Sequence, residues 1–271
     1  MKKKLCTYGY ETDKGTNNYL ESYEKYFADF ASQKIHLLEL GIYKGGSLQM
    51  WRDYFTNGTI AGLDIGDVEI DDPTGRIHVY KGLQQDKNIL DKIRKETAPD
   101  GFDIIIDDAS HIGELTRLSF WYLFDNHLKP GGMYVIEDWR TGYWDKWPDG
   151  KNFKTVDKHD LYEKRLSHID RLLMMTIDYM EPSNKLEIVK KIFKRIRAIV
   201  SKKRFKSHNY GMVGFVKQLV DELGMDMITH PSRGSRVPFR ESKFESMEIL
   251  PGQIFIVKNR KGLIVNSGET G

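Results

Sequence analysis

Two runs of β-branched residues end in acids: Ile104-Ile105-Ile106 leads into Asp107-Asp108-Ala109-Ser110-His111, and Val135-Ile136 leads into Glu137-Asp138-Trp139. Such runs suit strands buried on both faces, and in an open parallel sheet ligands bind beyond the carboxyl ends of the strands. Three carboxylates gathered in one crevice raise one another's pKa unless a cation sits among them. Asp108, Glu137 and Asp138 are therefore predicted to hold a divalent ion. His111, three residues past Asp108, is predicted to remove a proton, since an imidazole titrates near working pH. Hard oxygen ligands suit magnesium, manganese or calcium, and no Cys or His cluster argues for zinc. The structural alternative is that Asp107, Asp108 and Ser110 cap the next helix and His111 fills space. Two acidic strand ends plus a histidine favour the site.

A glycine-rich turn lies upstream. Ile35 to Leu40 reads as an apolar strand, Gly41-Ile42-Tyr43-Lys44-Gly45-Gly46 as a turn, Ser47 to Tyr54 as a helix, and Thr59 to Leu63 as a second strand ending at Asp64. Two strands joined by a helical crossover run parallel. Gly41 lets the backbone approach a ligand, and Asp64 is placed to accept hydrogen bonds from ribose hydroxyls. A dinucleotide fingerprint needs G-x-G-x-x-G, but the glycines that follow Gly41 stand at 45 and 46, and Glu39 precedes the turn. An acid there repels a pyrophosphate and suits the cationic amino-acid part of S-adenosylmethionine. A methyl donor is favoured over a nicotinamide dinucleotide. Asp86 has two equal readings, as cap of the helix that follows it or as partner of the adenine amino group.

These residues need a sheet to position them. Further strands are expected at Ile77 to Tyr80, Phe102 to Ile106 and Met133 to Ile136, the last after a turn at Lys129-Pro130-Gly131-Gly132. Helices are expected from about Lys87 to Glu96, Leu115 to Phe124 and Tyr210 to Leu223. A final antiparallel pair is placed at Met225 to His230 and Gln253 to Lys258, joined by an Arg-, Ser- and Lys-rich loop, Ser232 to Met247. The order predicts an α/β fold, a doubly wound, Rossmann-like, mostly parallel sheet of seven strands with an antiparallel last strand.

Ahead of it, residues 1–30 are read as an N-terminal helical segment. Tyr19, Tyr23, Tyr26, Phe27 and Phe30 recur at helical spacing, and this stripe is expected to pack on the domain. Lys14, in the preceding turn, is assigned to the functional site. Residues 31–271 form the main domain, with a basic helical insertion at about 151–208. The aromatics Trp139, Tyr143, Trp144 and Trp147, in a Gly- and Pro-containing loop, are placed to stack on an acceptor ring.

At 271 residues, 39% hydrophobic and 30% charged, the chain can bury a full core. The net charge of +3 conceals an asymmetry: Lys185 to Lys206 holds ten Lys or Arg against Glu187 alone, leaving the remainder acidic. A protein-wide nucleic-acid surface is therefore not expected. Within that segment Ile188, Val189, Ile192, Phe193, Ile196, Ile199 and Val200 form one apolar stripe, which reads either as a lid helix or as an amphipathic helix in peripheral contact with anionic lipid. Without a signal peptide or a spanning apolar run, the chain is expected in the cytoplasm, reaching the inner face of the membrane through 185–206 if the lipid reading holds. Cys6, the single cysteine, excludes an internal disulfide.

The combination of motifs resembles a known family. Thr12-Asp13-Lys14, Leu38-Glu39-Leu40-Gly41 with Gly45-Gly46-Ser47-Leu48, Met50-Trp51-Arg52-Asp53-Tyr54-Phe55, Asp107-Asp108-Ala109-Ser110-His111-Ile112, Tyr134-Val135-Ile136-Glu137-Asp138 and Thr141-Gly142-Tyr143-Trp144 are similar to the metal-dependent sugar O-methyltransferases of macrolide tailoring, of the mycinamicin 2''-O-methyltransferase type. The resemblance covers roughly residues 8 to 147. It implies a class I methyltransferase fold, S-adenosylmethionine and Mg2+ as cofactors, and a sugar hydroxyl of a glycoside or glycan as acceptor. Asp108, Glu137 and Asp138 match its magnesium ligands and His111 its general base. Glu39, Gly41, Asp64 and Asp86 match positions around the donor, to which Lys14, Ser47 and Asp107 are added as cofactor-binding residues. A homo-oligomer is compatible with the resemblance. The chain leaves no room for that type's large N-terminal accessory domain, and the basic insertion has no counterpart there. Two other readings compete: a nicotinamide-dependent sugar oxidoreductase, and a non-catalytic glycan- or membrane-binding protein that retains the fold.

Overall fold

The computed structural model describes residues 4–151, 153, 175, 191–195, 208–233 and 237–261. The chain divides into two compact units, one of residues 1–151 with 209–271 and one of 152–208. Most of the amphipathic stretch 185–206 lies outside the described residues; 191–195 are helical. Among the described residues, no helix is long and apolar enough to cross a membrane.

In the first unit, short helix α1 (Leu20–Phe27) precedes β1 (His36–Leu40), α2 (Gly46–Tyr54), β2 (Thr59–Asp64), β3 (Ile77–Lys81), α3 (Lys87–Thr97), β4 (Phe102–Asp107), α4 (Gly113–Asn126) and β5 (Leu128–Glu137). A 3-10 turn (Trp139–Tyr143) follows. After the second unit come α5 (Gly211–Leu223), α6 (Met225–Ile228), β6 (Phe244–Ile249) and β7 (Gln253–Lys258). The seven strands lie in the order β3-β2-β1-β4-β5-β7-β6, parallel through β5, with β7 antiparallel to both β5 and β6.

Because side chains alternate across a strand, each central strand feeds two cores. Leu38, Leu40, Ile105, Tyr134, Ile136 and Ile256 face one side, against Leu90, Ile93, Phe120, Phe124 and Phe215 of α3, α4 and α5. Leu37, Ile104, Ile106, Val135 and Phe255 face the other, against Tyr23 and Phe27 of α1 and Leu48 and Trp51 of α2. The apolar runs read from the sequence are thus buried on both faces, as a doubly wound sheet requires. The aromatic stripe of the N-terminal segment packs as expected, and Tyr23 and Phe27 are fully buried.

The C-terminal pair differs from expectation. Met225 to His230 is not a strand: the chain turns at Gly224 into the short helix α6, and Asp226, Met227 and Ile228 are exposed. The strand that pairs with β7 is β6, which begins inside the stretch read as a loop and runs two residues past it. Phe-Glu-Ser-Met-Glu-Ile carries two acids and occupies a sheet edge, where one side needs no burial, so its apolar signal is weak. The expected turn at 129–132 is likewise absorbed into the start of β5, with a register shift against β4 between Phe102 and Ile104.

Candidate active site

Parallel pairing aligns the tips of β1, β4 and β5, placing Leu40 beside Asp107 and Asp107 beside Ile136. The next residues leave the sheet together. Asp108 N–H donates to the Leu40 carbonyl at 2.8 Å, and Asp138 N–H to the Gly252 carbonyl at 2.6 Å. His111 (φ 52°) and Asp138 (φ 53°) both adopt the left-handed conformation, which His and Asp tolerate better than most residues. Such backbone conformations cluster at functional sites.

One cavity of about 920 Å³ opens over these tips. Lys14, Gly41, Ser47, Asp64, Asp108, His111 and Asp138 all line it, so most of the residues read as a site from the sequence come together. Ligand atoms of Asp108, His111 and Asp138 lie within 4.8 Å of one another, and His111 Nε2 is 3.8 Å from Asp108 Oδ1. The His111 ring meets Trp147 edge-on at 5.2 Å.

Four expected residues do not line the cavity. Glu137 is 1% exposed and sits one layer back, accepting from Lys14 Nζ at 2.8 Å and from the Tyr23 hydroxyl. Glu39 is fully buried; one oxygen accepts from Ser47 Oγ at 2.7 Å and the other lies 3.0 Å from Lys14 Nζ, so its reach to the cavity runs through those two side chains. Asp107 is buried among Ser119, Tyr134 and Gln84. Asp86 caps α3, accepting from Asn88 N–H at 2.9 Å, the structural of its two readings.

The electrostatics follow from burial. Lys14 Nζ donates to Asp108 at 3.0 Å and to Glu137 at 2.8 Å, and forms an ion pair with Glu39 at 3.0 Å. Burial pulls the Lys14 ammonium down, but the three acids outweigh it and keep it protonated. Burial raises the Asp108 and Glu137 carboxyls well above the carboxylate range, with Lys14 opposing in both. Asp107 is pushed up to about 6 by burial, against hydrogen bonds from Ser119 and Tyr134. One ammonium thus serves Glu39, Asp108 and Glu137, with Asp138 beside them and without a cation of its own among the bonds described. The remaining deficit of positive charge, and two carboxylates and an imidazole converging on the cavity, fit a hard divalent ion.

The donor side is built by the β1–α2 turn. Asp64 Oδ2 accepts from the amides of Ile42 (2.9 Å) and Tyr43 (3.0 Å), and Oδ1 from Gly66 N–H at 2.8 Å. The amides that would hold a pyrophosphate therefore face a carboxylate. Gly41 has φ +79°, and a Cβ there would collide with the Asp108 carbonyl oxygen, so only glycine lets the two loops meet.

No family model matches the sequence. Mycinamicin VI 2''-O-methyltransferase of Micromonospora griseorubida is 46% identical over 129 residues, covering 45% of this chain and 31% of its own. Demethylmacrocin O-methyltransferase of Streptomyces fradiae is 42% identical over 129 residues, covering 45% of this chain and 32% of its own. Among solved structures, MycE methyltransferase from the mycinamycin biosynthetic pathway, in complex with Mg, SAH and mycinamycin VI, superposes with a TM-score of 0.58 at 28% identity, over 89% of this chain and 49% of that one. The fold is that of a class I methyltransferase. The chain spans about a third of the length of these curated relatives and half of the solved one.

Three residues of this unit are not legible in the sequence. Gln84 ties two loops together, donating to Asp107 and Ser119 and accepting from Ser110 N–H at 3.1 Å. The helical spacing of Tyr19 and Tyr23 predicts packing alone, yet their hydroxyls donate to Asp138 and Glu137. The available signal was the residue type: a tyrosine on a buried stripe needs a partner for its hydroxyl.

Proposed function

We propose that this chain is an S-adenosylmethionine-dependent, Mg2+-assisted O-methyltransferase that methylates a sugar hydroxyl of a glycoside. The observation that carries the reading is that the glycine turn with Asp64 and the converging Asp108, His111 and Asp138 line one continuous cavity. The similar proteins are named as O-methyltransferases, of mycinamicin VI at the 2'' position and of demethylmacrocin, and the MycE complexes are described with Mg and SAH.

In this reading the ribose hydroxyls meet Asp64, and the methionine end lies toward Gly41 and Ser47, whose hydroxyl relays the buried charge of Glu39. Asp108 and Asp138 would hold the ion, with Glu137 supporting them from behind. Bound there, it would supply Lewis acidity that lowers the pKa of the acceptor hydroxyl. His111 takes the hydroxyl proton on a ring nitrogen. The freed oxygen attacks the donor methyl carbon, forming the C–O bond as the S–C bond breaks and the sulfonium becomes a neutral thioether. Trp147 holds the imidazole edge-on. Asp64 at the Ile42 and Tyr43 amides counts against a nicotinamide dinucleotide.

Calorimetry with S-adenosylhomocysteine and with NAD, followed by labelled methyl transfer onto a panel of diol-bearing glycosides with Mg2+ or with chelator, tests the proposal. Binding of the homocysteine compound and chelator-sensitive transfer are expected. Binding of NAD in its place, or full transfer in excess chelator, would refute it. The amphipathic pattern of 185–206 further supports contact with anionic lipid, a reading that fails if the protein does not co-sediment with anionic liposomes at physiological salt.

A further inference from the structure

The acids at the strand tips are gripped by one short stretch of chain ahead of the sheet. Lys14 bonds Asp108 and Glu137, Tyr23 bonds Glu137, and Tyr19 bonds Asp138. Each strand-tip carboxylate assigned to the ion thus receives a donor from residues 14–23. Asp138 is the most exacting case. It leaves the sheet in a left-handed conformation, its N–H is fixed on the Gly252 carbonyl of the β6–β7 turn, and the Tyr19 hydroxyl takes Oδ1. Tyr19 is itself 5% exposed and lodged against Gly252, where a Cβ would strike its ring and hydroxyl. Helix α1 and the C-terminal hairpin therefore close on Asp138 from two sides.

From this geometry we propose that Tyr19 is a positioning residue for Asp138: by occupying Oδ1 it fixes the carboxylate with its other oxygen turned to the cavity, pre-forming the divalent-ion site. The inference rests on the reading that Asp138 holds the ion. It concerns a residue that touches neither donor nor acceptor, since Tyr19 does not line the cavity. A carboxylate held in place by an outer hydrogen bond loses no rotational freedom when it binds, whereas a free one must be ordered at that moment.

The test is Mn2+ binding to the full chain, followed by electron paramagnetic resonance without donor or acceptor, in wild type and in the Tyr19→Phe, Asp138→Asn and Tyr26→Phe variants. Tyr19→Phe removes one hydroxyl and keeps the ring. Tyr26 lies in α1, the helix that Tyr19 precedes, and bonds Glu248, away from the site, so Tyr26→Phe controls for loss of a comparable bond. Tyr19→Phe is expected to weaken Mn2+ binding roughly 10- to 100-fold, the usual effect of removing an outer-sphere partner, with S-adenosylhomocysteine affinity unchanged and Tyr26→Phe like wild type. A Tyr19→Phe protein that binds Mn2+ within about threefold of wild type overturns the inference while leaving the metal reading intact. Wild-type protein that binds S-adenosylhomocysteine but no Mn2+ overturns both.

Discussion

The Lys14 ammonium lies 2.8 Å from Glu137 Oε1, and both side chains are 1% exposed. A lysine that deep is held charged by its acids, and the acids depend on it in turn. Lys14→Met is expected to lower stability by about 3–5 kcal/mol, because removing one partner leaves uncompensated buried charge. Urea unfolding measures this, with Lys25→Met as comparison. Lys25 pairs with Glu248 at the surface, and its loss should leave the unfolding midpoint nearly unchanged. Equal effects of the two substitutions would show that the buried cluster does not behave as a unit.

Gly41 separates two costs of adding a side chain. Its φ of +79° strains any residue with a Cβ, and that Cβ would also collide with the Asp108 backbone. Gly75 has a similar φ of +66° but open space around it. Gly75→Ala should therefore lose only about 1 kcal/mol of stability, from backbone strain. Gly41→Ala should lose more, and should also weaken S-adenosylhomocysteine binding by at least about tenfold, since the turn can no longer sit against the Asp108 loop. Thermal melts and calorimetry on both variants check the difference.

Asp72 pins the loop between β2 and β3, whose residues Ile65 to Val68 wall the donor side of the cavity. It accepts from the amides of Thr74, Arg76 and Ile77 and from the Thr74 hydroxyl, and lies 3.2 Å from Arg52. Burial acts to raise its carboxyl, but these donors outweigh it and hold the group below the usual carboxylate range. Since the folded pKa lies below the unfolded one, the stabilisation is complete above the ordinary Asp value near about 4 and is lost as pH falls through the folded value. Asp72→Asn should destabilise the protein by about 1–3 kcal/mol at neutral pH, with the gap from wild type narrowing below about pH 4. A gap that stays constant from pH 7 to 3 would show that Asp72 acts through shape alone.

Strands with continuous apolar runs are legible from the residues. β7 runs over Gln253–Lys258 as read, and the tips of β4 and β5 carry their acids as read. Such strands are buried on both faces, and their composition reports it. β6 was not legible, because an edge strand with Glu245 and Glu248 satisfies its pairing without an apolar signature. At the site, Asp108, His111 and Asp138 announced themselves by type and spacing. The partners of Lys14 did not, because they lie 94 and 123 residues away and only the sheet order sets β4 beside β1 and β5 beside β4. A lysine in a polar turn looks solvent-facing until three strand tips close around it. Tyr19 and Tyr23 show a related limit: helical spacing reveals which face is buried, but not what the far end of a tyrosine touches.

His111 offers the sharpest test of the chemistry, provided the substitution respects its backbone. At φ 52° an alanine adds left-handed strain to the loss of the ring, while asparagine tolerates that conformation and stays polar. His111→Asn therefore isolates the imidazole. If the ring takes the acceptor proton, kcat should fall by roughly 10²- to 10⁴-fold, the usual contribution of a positioned base. The affinities for S-adenosylhomocysteine and Mn2+ should then hold near wild type, and turnover should recover partly with rising pH, as more acceptor ionises without help. If His111 is instead a ligand, Mn2+ binding falls together with kcat. Its Nε2 lies 3.8 Å from Asp108 Oδ1, beyond a direct hydrogen bond, so the ring is held by Trp147 and its own backbone and stays free to meet a substrate hydroxyl. That freedom favours the base, and the split between kcat and Mn2+ affinity in one variant decides the assignment.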